Sequence, residues 1–151
     1  MITMRQREAG VGLIEVMVAV LVLAVGLLGI AALQAVTLKN VGSSSERTQA
    51  MIQAYSVVDT LRLNKTAASA GSMNTTGGDY QCSTATGFGT PGTVAGWLAD
   101  LRKTVGPSAC GKVQCATNAG GVTACEVGVR WNDERGSGGE ASEDIGVKAR
   151  L

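Results

Sequence analysis

Histidine is absent from this 151-residue chain, and aromatic residues make up only 3% of it. Histidine is the side chain that most often performs general acid–base catalysis near neutral pH, and no nucleophile motif is recognisable either. The 13 basic and 12 acidic residues nearly balance, so the basic footprint of a nucleic-acid-binding protein is missing as well. The sequence therefore predicts neither an enzyme nor a nucleic-acid partner, and it indicates no cofactor.

Charge is also nearly absent from residues 11–33, where Glu15 is the only ionisable side chain. A run of about 20 apolar residues is long enough to cross a membrane as a helix. A carboxylate at the centre of such a helix costs about 2.5 to 3.5 kcal/mol on insertion scales, so it normally has a partner. Since the run contains no lysine or arginine, Glu15 needs a cation from elsewhere.

The residues around this run predict its orientation. Arg5 and Arg7 precede it, and Lys39 is the first basic residue after it, which places the amino terminus in the cytoplasm. An ordinary signal peptide fits poorly, because its cleavage site follows a shorter apolar core, whereas Gly10 precedes this one. The carboxy-terminal part is therefore expected in the periplasm or outside the cell.

The segment Gly10-Val11-Gly12-Leu13-Ile14-Glu15, with its basic leader and aliphatic helix, resembles the class III signal of type IV pilins and type II secretion pseudopilins. The resemblance implies that a prepilin peptidase cuts between Gly10 and Val11 and methylates the new amine of Val11. Glu15 then becomes the fifth residue of the mature chain. The amine of a neighbouring subunit would neutralise it inside a helical bundle, where the low dielectric strengthens the pairing.

Later segments are similar to the PilV family of minor pilins, also called type IV pilus modification proteins. They include Gly26-Leu27-Leu28-Gly29, Arg47-Thr48-Gln49-Ala50 and Asp59-Thr60-Leu61-Arg62-Leu63-Asn64. The resemblance implies a minor pilin of the inner membrane that joins a complex initiating the pilus, near its tip, in a machine used for twitching motility. Implied partners are other minor pilins, the major pilin, the inner-membrane assembly platform and a tip adhesin.

Two other functions stay open. A minor pseudopilin of a type II secretion system would carry the same amino-terminal signal, and a pilus-borne subunit that binds DNA, another ligand or a host surface would carry it too. The thin basic cluster of Arg102, Lys103 and Lys112 gives little support to DNA binding.

Cys82, Cys110, Cys115 and Cys125 all follow the apolar run, in the part expected in an oxidising compartment. Two disulfides are favoured over a zinc site, because there is no close CxxC pair and no histidine. Four cysteines allow three connectivities. The favoured one joins Cys115 to Cys125 across a hairpin with a glycine-containing turn, which leaves Cys82 to pair with Cys110.

The helix is expected to continue to Asn64, since no proline interrupts it. Its apolar positions recur at steps of three and four residues and predict a core face. They are Met51, Ala54, Tyr55, Val58 and Leu61. Arg47, Asp59 and Arg62 are expected on a solvated or subunit-contacting surface. The Gly-, Ser- and Thr-rich residues 65–89 predict a long loop.

A second helix is predicted with Thr90 as its cap and Pro91 at its first position, ending at Gly106-Pro107. Alternating residues then predict antiparallel strands at residues 112–116, 125–131 and 145–151. The intervening loop, residues 132–142, is polar. Because the EF-hand spacing is absent, its acidic residues and those beside it predict a solvated charged turn rather than a calcium site. They are Asp133, Glu134, Glu140, Glu143 and Asp144.

Together these patterns predict an α+β protein with a pilin-like ladle shape: a long amino-terminal helix and a small antiparallel sheet head covered by a short helix. Four parts are expected. Residues 1–10 form a leader peptide, 11–33 the transmembrane half of the helix, 34–64 its soluble half, and 65–151 a disulfide-stabilised head. With fewer than about 100 residues outside the long helix, such a head commonly depends on disulfides or assembly for stability.

Overall fold

The computed structural model describes residues 10, 12–84 and 88–151. The leader before Gly10 and the predicted methylation site at Val11 lie outside the described residues. The order of elements is a long helix, two short helical segments and a short strand, then a second substantial helix and three longer strands. This is the expected α+β layout, a long amino-terminal apolar helix followed by a small antiparallel sheet and a short helix.

Helix α1 spans Leu13–Leu63, 51 residues without interruption. The carbonyl of Gly12 accepts hydrogen bonds from the amides of Glu15 and Val16, at 3.0 and 3.3 Å, which closes the first turn. At the other end the side chain of Asn64 donates to the carbonyl of Thr60 at 3.0 Å. The predicted continuation of the helix up to Asn64 is confirmed.

The chain divides into two compact units, Met1–Leu38 and Lys39–Leu151, the second of which we call the head unit. In the described part of the first unit, every large apolar side chain is between 51% and 79% exposed. The head unit instead has a closed hydrophobic core. The division of the chain into a leader, two halves of the helix and a head remains a prediction from the sequence.

The sheet of the head unit is antiparallel, with the strand order β1-β2-β3-β4. The strands are β1 (Gln81–Cys82), β2 (Cys110–Thr117), β3 (Thr123–Trp131) and β4 (Glu143–Arg150). A tight turn joins β2 to β3, in which Asn118 and Val122 exchange hydrogen bonds. The three longer strands were predicted with shorter ranges, the last of which began two residues late and ended one residue beyond β4. Strand β1 was not predicted, because two residues carry no periodicity.

One face of the sheet packs against α1 and against α3 (Val94–Thr104). The buried positions of α1 are Ala50, Ala54, Val57, Val58 and Leu61. The predicted core face was partly wrong, because Met51 and Tyr55 are 41% and 55% exposed. Ala50 and Ala54 are both 0% exposed and belong to the core, so the buried face centres on alanine rather than on the larger neighbours.

Of residues 65–89 the structure describes 65–84 and 88–89, and these contain more regular structure than the predicted loop. They contain α2 (Lys65–Ser69), a 3₁₀ turn at Thr76–Gly78, and β1. Asn74 receives a hydrogen bond from the amide of Cys115 at 2.7 Å and donates to its carbonyl at 3.1 Å. The amide of Thr75 donates to the carbonyl of Val113 at 2.9 Å. These side-chain and backbone contacts continue the edge of β2 beyond β1, so the segment is ordered despite its loop-like composition.

The cap predicted for α3 was three residues early. Thr93, not Thr90, accepts a hydrogen bond from the amide of Gly96 at 2.9 Å, and the helix begins at Val94 rather than Pro91. Both threonines are suitable caps, but only the later one directly precedes the apolar positions that reach the core. The helix ends at Thr104, before Gly106, whose φ of 147° favours glycine.

Candidate assembly site

Glu15 lies in the first turn of α1, where the unpaired backbone amides favour a negative charge. Its carboxylate forms no ion pair with the residues that the structure describes. The flanking side chains Leu13, Ile14 and Val16 are 79%, 71% and 51% exposed. The pairing of Glu15 with the amine of another subunit stays a prediction from the sequence.

The helix is long and apolar enough to cross a membrane. Residues 13–33 would span about 30 Å as an α-helix, which equals the thickness of a bilayer's hydrocarbon layer. Further exposed apolar residues follow at Val36, Leu38 and Val41. The long apolar helix fits membrane anchoring near the amino terminus.

Gly10 is exposed and precedes the helix, so its backbone is outside the hydrogen-bonded turns. The peptide bond that it shares with Val11 is the predicted peptidase site. Val11 itself lies outside the described residues, and the position of the cut stays a prediction.

A second apolar surface on α1 was missed from the sequence. Met51, Ile52 and Tyr55 are exposed and, together with Thr48, Ser56 and Asp59, they line a shallow groove. These residues lie on the side of the helix opposite the buried alanines, given 3.6 residues per turn. We call this surface the outer stripe. The sequence pattern does not distinguish the exposed face from the buried one, because α1 carries apolar side chains on both faces between residues 50 and 58.

Two disulfides tie the sheet together, Cys82–Cys110 and Cys115–Cys125. They are the pairs favoured from the sequence. In each pair the two cysteines lie directly opposite one another, on β1 and β2 in the first and on β2 and β3 in the second. All four thiols are engaged, so none of them is available as a metal ligand.

The sequence predicts that the acidic residues after β3 are all solvated, but one of them is buried. Asp133 is 1% exposed, and its Oδ2 accepts a 2.7 Å hydrogen bond from the hydroxyl of Ser43. Arg47 contacts the same carboxylate at 3.5 Å and Glu143 at 2.7 Å. The expectation of a solvated Asp133 was wrong, because the loop folds back onto α1. Arg47, expected on a solvated or subunit-contacting surface, is 48% exposed and pairs with acidic residues of its own chain. In the described ranges, no cluster of three acids or cysteines could hold a metal ion.

On the outer face of the sheet, Tyr80 stacks against Arg130, whose guanidinium carbon is 3.9 Å from the ring centroid. Its hydroxyl donates to Asp144 at 3.3 Å. Gly128 lies beneath the ring, where a Cβ would come within 2.5 Å of the hydroxyl. Partial burial, reinforced by the negative charge of Asp144, raises the pKa of Tyr80 above its ordinary value.

Residues 5–31 match the family model described as the prokaryotic N-terminal methylation motif. The match covers Gly10, Val11, Glu15 and most of the apolar run, but not the head unit. Comparison with curated proteins and with solved structures gives no match. The motif supports a type IV pilin-like protein, a structural subunit rather than an enzyme, and implies processing by prepilin peptidase and assembly by pilus machinery.

Proposed function

We propose that this pilin-like chain is a minor pilin of a type IV pilus, matured by prepilin peptidase between Gly10 and Val11. The methylation motif over residues 5–31 is the observation that carries the proposal. The exposed Gly10 supports it, because a peptidase needs a bond outside regular helix. The proposed location is the inner membrane, with the amino terminus cytoplasmic and the head periplasmic, followed by the pilus, near its tip.

Glu15 is proposed to recognise the neighbouring subunit. In a bundle of apolar helices, the methylated amine of one Val11 would face the carboxylate of a neighbour's Glu15 in low dielectric. An unpaired carboxylate there is costly, so each subunit would dock at the axial position that supplies its counter-charge. The absence of a cation beside Glu15 among the described residues supports this role.

The outer stripe is proposed as the second assembly contact. Met51, Ile52 and Tyr55 expose a continuous apolar surface in the head unit, while the hydrophobic core occupies the opposite side of the same helix. Exposed apolar patches of this kind mark interaction sites. A neighbouring pilin helix of similar apolar character would cover it.

The finer assignment to the PilV family, and to a complex of minor pilins that initiates the fibre and meets a tip adhesin, rests on sequence resemblance. The segments between residues 26 and 64 carry that resemblance. A minor pseudopilin of a type II secretion system would share the motif and the helix. Whether the protein serves a pilus or a type II secretion system must therefore be determined from surface pili and secreted proteins.

One experiment separates the two machines. The gene is deleted from its host and restored as wild type or as Glu15→Gln, and surface pili are sheared, counted and probed for the protein. A minor pilin predicts few pili without the gene and the protein in sheared fibres, with Glu15→Gln behaving like the deletion. Normal pili together with a loss of protein secretion would reject the pilus proposal in favour of the pseudopilin.

The stripe is tested separately with Ile52→Ser/Tyr55→Ser. The head unit should stay folded, because both side chains are exposed, while recovery in sheared pili and with co-expressed minor pilins falls. Val122→Ser is the control, since Val122 is an exposed apolar residue, 42% exposed, that belongs to the β2–β3 turn and not to α1. Equal recovery for the stripe variant and the control would reject the stripe as a contact.

A further inference from the structure

Residues 40–47 of α1 read Asn-Val-Gly-Ser-Ser-Ser-Glu-Arg, a sequence poorly suited to a helix. Glycine and serine are weaker helix formers than alanine, and the hydroxyls of serine compete for backbone hydrogen bonds. Helical turns on both sides spare this segment the cost of nucleation, but each glycine or serine in it still weakens the helix locally. The helical state of this segment therefore needs a cause outside the segment.

Hydrophobic packing does not supply that cause. The buried positions of α1 begin at Ala50, and within residues 40–47 only Ser43 and Glu46 are even half-buried. Asn40, Ser43 and Arg47 nevertheless follow the three- and four-residue spacing that leads to Ala50 and Ala54. The packing face thus continues toward the amino terminus as a row of polar side chains.

That polar row is covered by residues 132–142, the loop between β3 and β4, which we call the strap. Asp133 accepts from Ser43 at 2.7 Å and contacts Arg47 at 3.5 Å. Farther along the strap, the amide of Ser137 donates to the side chain of Asn40 at 3.0 Å. A further ion pair joins Arg135 to Glu46. The strap therefore contacts two successive turns of the segment.

The strap is itself held in a fixed shape. The amide of Asp133 donates to the carbonyl of Glu140, and the amide of Gly136 donates to the carbonyl of Asp133, both at 2.9 Å. A Cβ on Gly136 would come within 2.8 Å of Ser43, and one on Gly139 within 1.9 Å of the Asp133 carbonyl. Glycine at residue 136 thus permits the close approach to α1, and glycine at residue 139 permits the strap to pack closely on itself.

We propose that the strap keeps residues 40–47 helical, and that this stretch unwinds as a local unit when the strap is released while the rest of the head unit stays folded. The strap is then a conformational switch that decides whether α1 is continuous into the head unit. Free energies of local opening commonly differ across one protein, and a segment held only by polar contacts belongs at the low end. The inference is independent of which machine the protein serves.

Two serine substitutions in the same segment separate this proposal from a purely local explanation. Ser43→Ala removes a strap contact, whereas Ser45→Ala changes an exposed serine. Alanine is the better helix former at both positions. The full-length protein in detergent micelles is compared by amide hydrogen exchange, read on peptides covering residues 40–47 and residues 54–61.

Ser43→Ala should accelerate exchange in residues 40–47 about 1.5- to fivefold, because the loss of one hydrogen bond, worth about three- to tenfold, outweighs the roughly twofold gain from helix propensity. Ser45→Ala should leave it unchanged or slow it about twofold. Residues 54–61 should keep wild-type exchange in both variants. If both substitutions slow exchange in residues 40–47, propensity alone governs the segment and the proposal fails.

Gly136→Ala tests the same proposal with a change in the strap instead of in α1. The added methyl group would collide with Ser43, so exchange in residues 40–47 should accelerate although α1 is unaltered. Acceleration confined to that peptide and to the strap supports the switch. Equal acceleration in residues 54–61 would mean that the head unit opens as one body, which overturns it.

Discussion

The first 26 residues of α1 and its last turns make opposite use of apolar side chains. In residues 13–38 the large aliphatic side chains are all exposed, whereas in residues 50–61 the buried positions include two alanines. Hydrophobicity alone therefore does not tell which part of a helix belongs to a core. What decides is whether the same chain offers a covering surface, as the sheet does for the second stretch.

The two stretches also differ in how their charges are satisfied. Arg47 and Asp133 pair within the head unit, but Glu15 has no such pairing among the described residues. Buried Asp133 thus has a cation within its own unit, although its Oδ1 atom has no hydrogen-bond partner, whereas Glu15 has no ion-pair partner among the described residues. The head unit has a hydrophobic core of its own, and the exposed apolar stretch fits membrane anchoring.

The largest effect is expected at Glu15, the unsatisfied group. Glu15→Gln removes the charge while keeping the shape, so maturation should continue while incorporation into fibres falls by about tenfold or more. Immunoblots of sheared pili and of whole cells give the ratio. Ile14→Leu, which alters the neighbour and keeps the carboxylate, is the control. Full incorporation of the Glu15→Gln variant into fibres would contradict the proposed pairing of Glu15 with the amine of a neighbouring subunit.

The second prediction concerns how much each of the two disulfides stabilises the head unit. They close segments with sequence separations of 28 and 10 residues. Chain-entropy arguments give about 3.6 and 2.7 kcal/mol, so Cys82→Ser/Cys110→Ser should destabilise the head unit more than Cys115→Ser/Cys125→Ser. Denaturant titration in micelles, followed by tryptophan fluorescence, measures both, because Trp97 and Trp131 are buried. The reverse order would show that strain or solvation outweighs loop length.

A pair of leucines two residues apart tests the boundary between buried and exposed helix faces. Leu61 is fully buried, whereas Leu63 is 87% exposed. Leu61→Ala should cost about 3 kcal/mol of unfolding free energy through lost transfer energy and a cavity, and Leu63→Ala less than about 0.5 kcal/mol. The same fluorescence titration reads the difference. Similar values for the two leucines would contradict the assigned core.

The smallest effect concerns Tyr80, on the outer face of the sheet. Because burial and the charge of Asp144 raise its pKa above 10.0, the folded state holds the phenolic proton more tightly than the unfolded state does. Its contribution to stability is complete below pH 10 and is lost as the pH rises through the raised pKa. Alkaline absorbance titration of a Tyr55→Phe variant isolates Tyr80, since the chain has two tyrosines. A midpoint at or below pH 10 would contradict the assignment.

Periodic signals predicted the helix-and-sheet layout well. The uninterrupted apolar run gave α1, and strict alternation gave β3 and β4. The pairs of cysteines followed from the hairpin turn between Cys115 and Cys125. The helix, the strands and the Cys115–Cys125 hairpin depend on neighbours in sequence, which a pattern search can read, whereas Cys82 and Cys110 were paired as the two cysteines left over.

Features that depend on distant residues were missed. Nothing in the sequence near Asp133 indicates that its carboxylate meets Ser43, 90 residues away. Asn74 and Thr75 likewise look like loop residues until β2 lies beside them. For Met51 and Tyr55, the competing alanine face could not be recognised because small residues carry a weak hydrophobic signal. Long-range contacts, rather than local preference, decided each case.

The central claim is that the chain matures like a pilin, and mass spectrometry of its amino terminus tests this most directly. Full-length protein is purified from membranes of cells with and without a co-expressed prepilin peptidase. The account predicts an intact leader without the peptidase and a methylated Val11 terminus with it. A terminus that is unchanged by the peptidase, or a cut beyond residue 33, would contradict the account.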